Sequence, residues 1–174
     1  MSVRDRDPSP SELARRARAT KVVLTDCDGV LTDAGVYYSA HGEELKRFSL
    51  RDGMGVERLR NAGIVTAVVT GERSPSVARR AEKLGIRAFL GVADKGRELD
   101  AILAELGVQV AEAAYIGDDV NDVAVLRRIG EVGLTGAPSD AMPEILELVH
   151  YRAGVPGGHG AFRAFAEWIL SFSI

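Results

Sequence analysis

The chain has 174 residues, 46% of them hydrophobic, and a formal net charge of −3. That length suits one well-packed domain and is short for two, and a near-balanced charge with no long basic run and no basic–aromatic interleaving speaks against nucleic acid and anionic membrane surfaces as partners. The single cysteine, Cys27, excludes an intrachain disulfide, and no stretch is long and apolar enough for a signal peptide or membrane helix, so a cytoplasmic protein is expected.

Residues 1–8 alternate Arg and Asp and read as a solvated tail. Ser9, Pro10 and Glu12 then fit an N-cap, a first-position proline and a capping acid, opening a short Ala/Arg helix to Ala19. Residues 1–20 are thus a tail and a packing helix, and residues 21–174 the domain proper. Val22, Val23 and Leu24 form an apolar run suited to a buried parallel strand, closed by Asp26, Asp28 and Gly29. In extended chain Asp26 and Asp28 point the same way and Cys27 the other, which makes Cys27 a buried small hydrophobe rather than a nucleophile. Two carboxylates in one small space repel unless a cation lies between them, so a divalent metal is suggested, magnesium first. An ordinary polar corner fits D-x-D-G alone equally well; an EF-hand does not, because Val30 and Leu31 stand where that loop needs an acid or Asn and then Gly.

Gly35 to Phe48 reads as a β-hairpin about a His-Gly turn, projecting beyond the sheet, with Tyr37, Tyr38 and Phe48 suited to docking on another subunit. A helix follows, with Met54, Val56, Leu59 and Ala62 expected inward and Gly63 at its end; its Gly53 and Gly55 are no dinucleotide fingerprint, since no strand precedes them. Ile64 to Val69 is a second buried strand ending in Thr70, Gly71 and Glu72. Ser74, Pro75 and Gly85 bracket the next helix, Arg87 to Leu90 makes a strand, Asp94 caps a helix over Lys95 to Leu106, and Ala114 to Ile116 leads into Gly117, Asp118, Asp119 and Asp122. The remainder predicts a helix from Asp122 to Ile129, a strand at Val132 to Leu134, a helix near Asp140 to Leu146, a strand at Val149 to Arg152, and a last helix with Phe162, Phe165, Ala166, Ile169 and Leu170 on one face. Strand alternating with helix at this pace predicts an α/β fold: a Rossmann-like three-layer α/β/α sandwich, its sheet mainly parallel, with the acids at the carboxyl edge where ligands bind. His41 and His159 have no partner at metal-ligand spacing and sit in turns.

The D-C-D-G-V-L-T-D stretch, Thr70-Gly71, Lys95 and G-D-D-V-N-D together resemble the four motifs of the haloacid dehalogenase superfamily of phosphohydrolases. The resemblance implies that Asp26 is the nucleophile, forming an aspartyl-phosphate, that Asp28 is general acid and base, and that Thr70 and Lys95 neutralise the phosphoryl oxygens. It also implies Mg2+ held by Asp26, Asp118 and the carbonyl of Asp28, with Asp119 and Asp122 behind the metal shell. Asp33 to Thr70 and Thr70 to Lys95 leave no room for a cap domain. With F-S-L-R-D-G-M-G and G-G-H-G-A-F-R, the chain is similar to the capless 3-deoxy-D-manno-octulosonate 8-phosphate phosphatases and the closely similar nonulosonate 9-phosphate phosphatases. Those are homotetramers in which a neighbour's glycine-rich C-terminal segment, here matched by Gly157 and Gly158, closes the site on a phosphorylated sugar acid. Arg51 and Arg163 are candidates for the substrate's anionic groups. The octulosonate enzymes usually carry a basic residue after Thr-Gly; here Gly71 precedes Glu72, which with Lys83 resembles the nonulosonate branch. Two other readings are a broad-specificity phosphatase and a tetramerisation module of the kind fused to cytidylyltransferases.

Overall fold

The protein is described by a computed structural model over residues 8–173, so the tail expected over residues 1–8 lies, but for Pro8, outside the described residues. Helix α1 (Pro10–Ala19) starts as its sequence dictates, Ser9 accepting from the Glu12 N–H. Arg16 anchors it, donating to the carbonyls of Gly130, Glu131 and Gly133 at 2.9–3.0 Å. Strand β1 (Val22–Thr25) is wholly buried, and is followed by the antiparallel hairpin β2 (Thr32–Ser39) and β3 (Gly42–Phe48). Then come α2 (Leu50–Asn61), β4 (Val65–Thr70), α3 (Pro75–Leu84), β5 (Arg87–Leu90), α4 (Lys95–Leu106), β6 (Ala113–Ile116), α5 (Val123–Gly130), β7 (Leu134–Ala137), α6 (Pro143–Leu146), β8 (Tyr151–Arg152) and α7 (Ala161–Leu170).

The main sheet has six strands in the order β5-β4-β1-β6-β7-β8, every neighbouring pair parallel. Its two faces are separated by the period-two alternation of β1. Val23 joins residues of α2, α3 and α7 in one core, while Val22 and Leu24 join residues of α4, α5 and α6 in the other. The chain winds from β1 to β4 and β5, then returns to the other side of β1 for β6 to β8, so the winding reverses beside β1, where α/β sheets open a crevice. Register brings the chemistry to that point: Thr25 pairs with both Val68 and Ile116, so Asp26, Thr70 and Asp118 leave three adjacent strands within two residues of one line. Between Asp33 and Thr70 the chain is spent on the hairpin, α2 and β4, and between Thr70 and Lys95 on α3 and β5. Among the described residues no helix is long and apolar enough to cross a membrane.

Several local expectations are corrected. Helix α2 buries Asp52, Gly55, Val56 and Leu59, whereas Met54 is 48% exposed and Ala62 is also exposed. The reason is its close crossing with α7, where a Cβ on Gly55 would come within 3.0 Å of the Arg163 Cα. Strand β7 begins at Leu134 rather than Val132, because the N–H groups of Val132 and Gly133 are still engaged by the Ile129 carbonyl at the end of α5. Helix α6 starts only at Pro143, since Asp140 instead accepts from the Gly157 N–H at 2.9 Å. Strand β8 is confined to Tyr151 and Arg152. Phe48 is partly buried against its own core under the Arg80 guanidinium. Tyr37 and Tyr38 stay 68% and 71% exposed.

Candidate active site

The site is built from the carboxyl end of β1 outward. Asp26, 4% exposed, accepts the Cys27 N–H at 2.7 Å and the Lys95 ammonium at 2.8 Å, both on Oδ1. Lysine in the first turn of a helix opposes the helix dipole. Lys95 holds that position in α4, wholly buried, because two acids capture it: Asp26, and Asp122 at 2.7 Å. Asp122 is fully committed, Oδ1 accepting also from the Tyr115 hydroxyl at 2.6 Å and Oδ2 from the Asp118 N–H at 3.0 Å. Asp118 is different, for its Oδ1 is buried and has no hydrogen-bond partner. Oxygens of Asp26, Asp118 and Asp122 lie within 4.8 Å of one another. Gly29 makes room for this, having φ +81° and a Cβ position only 1.9 Å from Asp118 Oδ2.

Burial and the Asp122 charge push Asp26 up to about 7 against the attraction of Lys95, and burial with the neighbouring acids pushes Asp118 up to about 8. Burial pulls Lys95 down, but Asp26 and Asp122 outweigh it and leave it raised. Three crowded acids matched by one ammonium, with an orphaned carboxylate oxygen among them, suit a hard divalent cation. Asp26 and Asp118 offer the carboxylates, since Asp122 has none to spare.

Of the residues singled out in the sequence, Asp26, Asp28, Thr70, Gly71, Glu72, Asp118 and Asp119 line one cleft. Lys95 and Asp122 are buried beside Asp26. Thr70 is buried, its hydroxyl accepting from the Glu72 N–H at 3.1 Å. Asp119 caps the turn that follows, accepting from the Val120 N–H at 2.6 Å. Lys83 is not brought to this cleft: it is exposed in the last turn of α3, toward the opposite edge of the sheet from Glu72. Arg51 is exposed in the first turn of α2 beside Gly160, and Arg163 pairs with Glu167 at 2.7 Å.

Gly157 and Gly158 are seated on their own chain's turn. A Cβ at Gly157 would fall 1.8 Å from the Gly29 carbonyl, and the Gly158 N–H donates to Val30 at 2.9 Å. Arg47 holds the segment from the hairpin, donating to the Gly158 carbonyl at 2.9 Å and meeting His159 Nε2 at 3.0 Å. Cys27 is buried, and burial with the flanking acids pushes its thiol far up.

Two site residues escaped sequence reasoning. Tyr115 gave a signal, a polar-tipped aromatic inside an apolar strand, whose buried hydroxyl needs a partner. Lys46 gave none; it pairs with Asp28 Oδ1 at 2.6 Å, its side chain 1% exposed.

The chain matches the haloacid dehalogenase-like hydrolase family over residues 46–130. It is 38% identical to the 3-deoxy-D-manno-octulosonate 8-phosphate phosphatase of Yersinia pestis, over 94% of this chain and 86% of that protein. The Haemophilus influenzae phosphatase of the same name is 40% identical, over 86% and 82%. Among solved structures, the Moraxella catarrhalis phosphatase in complex with magnesium, phosphate and KDO superposes with a TM-score of 0.86 at 33% identity, covering 94% of this chain and 93% of that one. The cobalt-bound Haemophilus influenzae enzyme gives 0.85 at 37% identity, covering 90% and 91%.

Proposed function

The chain belongs to the haloacid dehalogenase-like hydrolases as a phosphoric monoester hydrolase acting on a keto-deoxy sugar phosphate, and from that premise we propose that it is a magnesium-dependent phosphatase of 2-keto-3-deoxy sugar acids working through an aspartyl-phosphate on Asp26. The observation that carries the reading is the orphaned Asp118 Oδ1 beside Asp26, with Lys95 holding Asp26 by its Oδ1. The cation would be held by Asp26, Asp118 and the Asp28 carbonyl, and it supplies charge neutralisation for the phosphate when bound.

The residues divide the work. Asp26, fixed by two donors on one oxygen, attacks phosphorus with the other; the bond from phosphorus to the sugar oxygen breaks, and its electron pair stays with that oxygen. Asp28, at the mouth of the cleft with its side chain 27% exposed, gives the departing oxygen its proton. Water then attacks phosphorus, loses its proton to Asp28, and releases inorganic phosphate with Asp26 regenerated. Lys95 and the Thr70 hydroxyl offset charge on the phosphoryl oxygens.

The octulosonate 8-phosphate is the first substrate to test, in line with the relatives. A second reading, the nonulosonate 9-phosphate, is favoured by Glu72 lining the cleft where a basic residue is usual in the octulosonate enzymes. Phosphate release with magnesium decides, across both sugar acid phosphates, nucleotides and hexose phosphates. A preference of ~10²-fold or more in kcat/KM for one keto-deoxy acid, about 2.7 kcal/mol, is expected. Comparable weak rates on all would make the chain a broad phosphatase, and no magnesium-dependent release would leave it a tetramerisation module.

A further inference from the structure

We propose that Lys46, on the second strand of the hairpin, is the positioning residue for Asp28. The inference rests on the reading of Asp28 as acid and base, and it names what holds that carboxylate in place. On an otherwise exposed hairpin a lysine ordinarily lies in solvent. Here only 1% of the Lys46 side chain is exposed, and its ammonium sits 2.6 Å from Asp28 Oδ1. The Thr32 hydroxyl is 3.5 Å from the same oxygen. Behind the ammonium stands Glu43, 3.7 Å away, which itself accepts from the hydroxyl of Ser74, the N-cap of α3.

A chain of contacts therefore runs from the start of α3 through β3 to Asp28. Docking the hairpin does not need its last link. Glu43 to Ser74 already ties β3 to α3, and Arg47 to Gly158 ties it to the glycine segment. The Lys46 contact adds a hold on one oxygen of a reacting group. With Oδ1 engaged, the plane of the carboxylate is fixed and Oδ2 is the oxygen left to exchange a proton with the substrate.

The test uses the leaving group. A sugar alkoxide needs a proton to depart, whereas the phenolate of p-nitrophenyl phosphate does not, and kcat/KM reports only the first phosphoryl transfer. Asp28→Asn is expected to lower kcat/KM on the sugar acid phosphate selected above by ~10²–10⁴-fold, and on the aryl phosphate far less. Lys46→Met is expected to reproduce that selective loss at ~10–10²-fold, the scale of a misplaced catalytic group. Lys46→Arg should recover most of it, and the double variant should be no worse than Asp28→Asn alone. Should Lys46→Met not fold, Lys46→Gln carries the same comparison. An equal loss on both substrates, or none, beside a selective Asp28→Asn overturns the positioning role and leaves the acid–base reading standing. A non-selective Asp28→Asn removes both.

Discussion

At the scale of single residues, the site is a problem of charge. Asp26, Asp118 and Asp122 crowd within 4.8 Å, and Lys95 answers for only part of their charge. With no second cation, burial and mutual repulsion favour the protonated acids, so that Asp26 and Asp118 rise to about 7 and about 8. The sign for stability follows. Between the ordinary carboxyl value of 3.8 and those raised values, the folded chain keeps protons that the unfolded chain has released. The metal-free protein therefore loses stability as pH climbs through that window, and levels off above it. Protons and a divalent cation compete for the same oxygens. Magnesium is accordingly expected to raise the melting temperature clearly at about pH 8, and little or not at all at about pH 5. Thermal melts with magnesium and with chelator at both pH values check this, and equal shifts at both would mean that these carboxyls do not bind the ion.

At the scale of elements, what matters is how the turn after β1 is held. Its floor is the glycine segment before α7, where Gly157 has no room for a Cβ against the Gly29 carbonyl and gives its N–H to Asp140. Gly157→Ala is expected to push the turn outward, costing about 1–3 kcal/mol of stability, as overpacking does. It should also lower kcat, because Asp28 and Gly29 ride on that turn. Urea unfolding with phosphate release measures both, and unchanged values would show that the segment does not brace the site. Much of this architecture was legible in the sequence. Short apolar runs ending in Asp, Thr or Gly, and Ser9, Ser74 and Asp94 as caps, mark elements by local chemistry alone. The rest was illegible where tertiary contact decides. Met54 looks like a core residue until α7 lies against Gly55 instead. Lys46 looks solvated until a hairpin with two register shifts turns it onto Asp28. The seat of Gly157 and Gly158 is likewise hidden, because the sequence does not reveal that the chain's own turn occupies the space a side chain would need.

At the scale of the whole molecule, the question is how the cleft receives a substrate with two anionic groups. Asp26, Asp28, Glu72, Asp118 and Asp119 line it, and among the described residues lining it none is cationic. A phosphorylated sugar acid brings two anionic groups of its own. On the proposed reading the phosphate would meet the metal site and Lys95, whereas the described lining offers the carboxylate no cation. Exposed cations stand elsewhere on the surface, Lys83 in the last turn of α3 among them, and Tyr37, Tyr38 and Leu45 present apolar area on a projecting hairpin. Both features fit an assembly in which the hairpins pack together and a neighbour's cations reach the mouth of the cleft. Replacing Tyr37 and Tyr38 with Ser is then expected to give a smaller species by light scattering. It should also lower kcat/KM for the sugar acid phosphate by ~10–10²-fold, the worth of one charged hydrogen bond to a carboxylate. The rate on p-nitrophenyl phosphate, which has no carboxylate to recognise, should hardly change. A variant that keeps both its size and its sugar acid rate would mean that each chain recognises the carboxylate alone, and one that shrinks but keeps that rate would separate assembly from specificity.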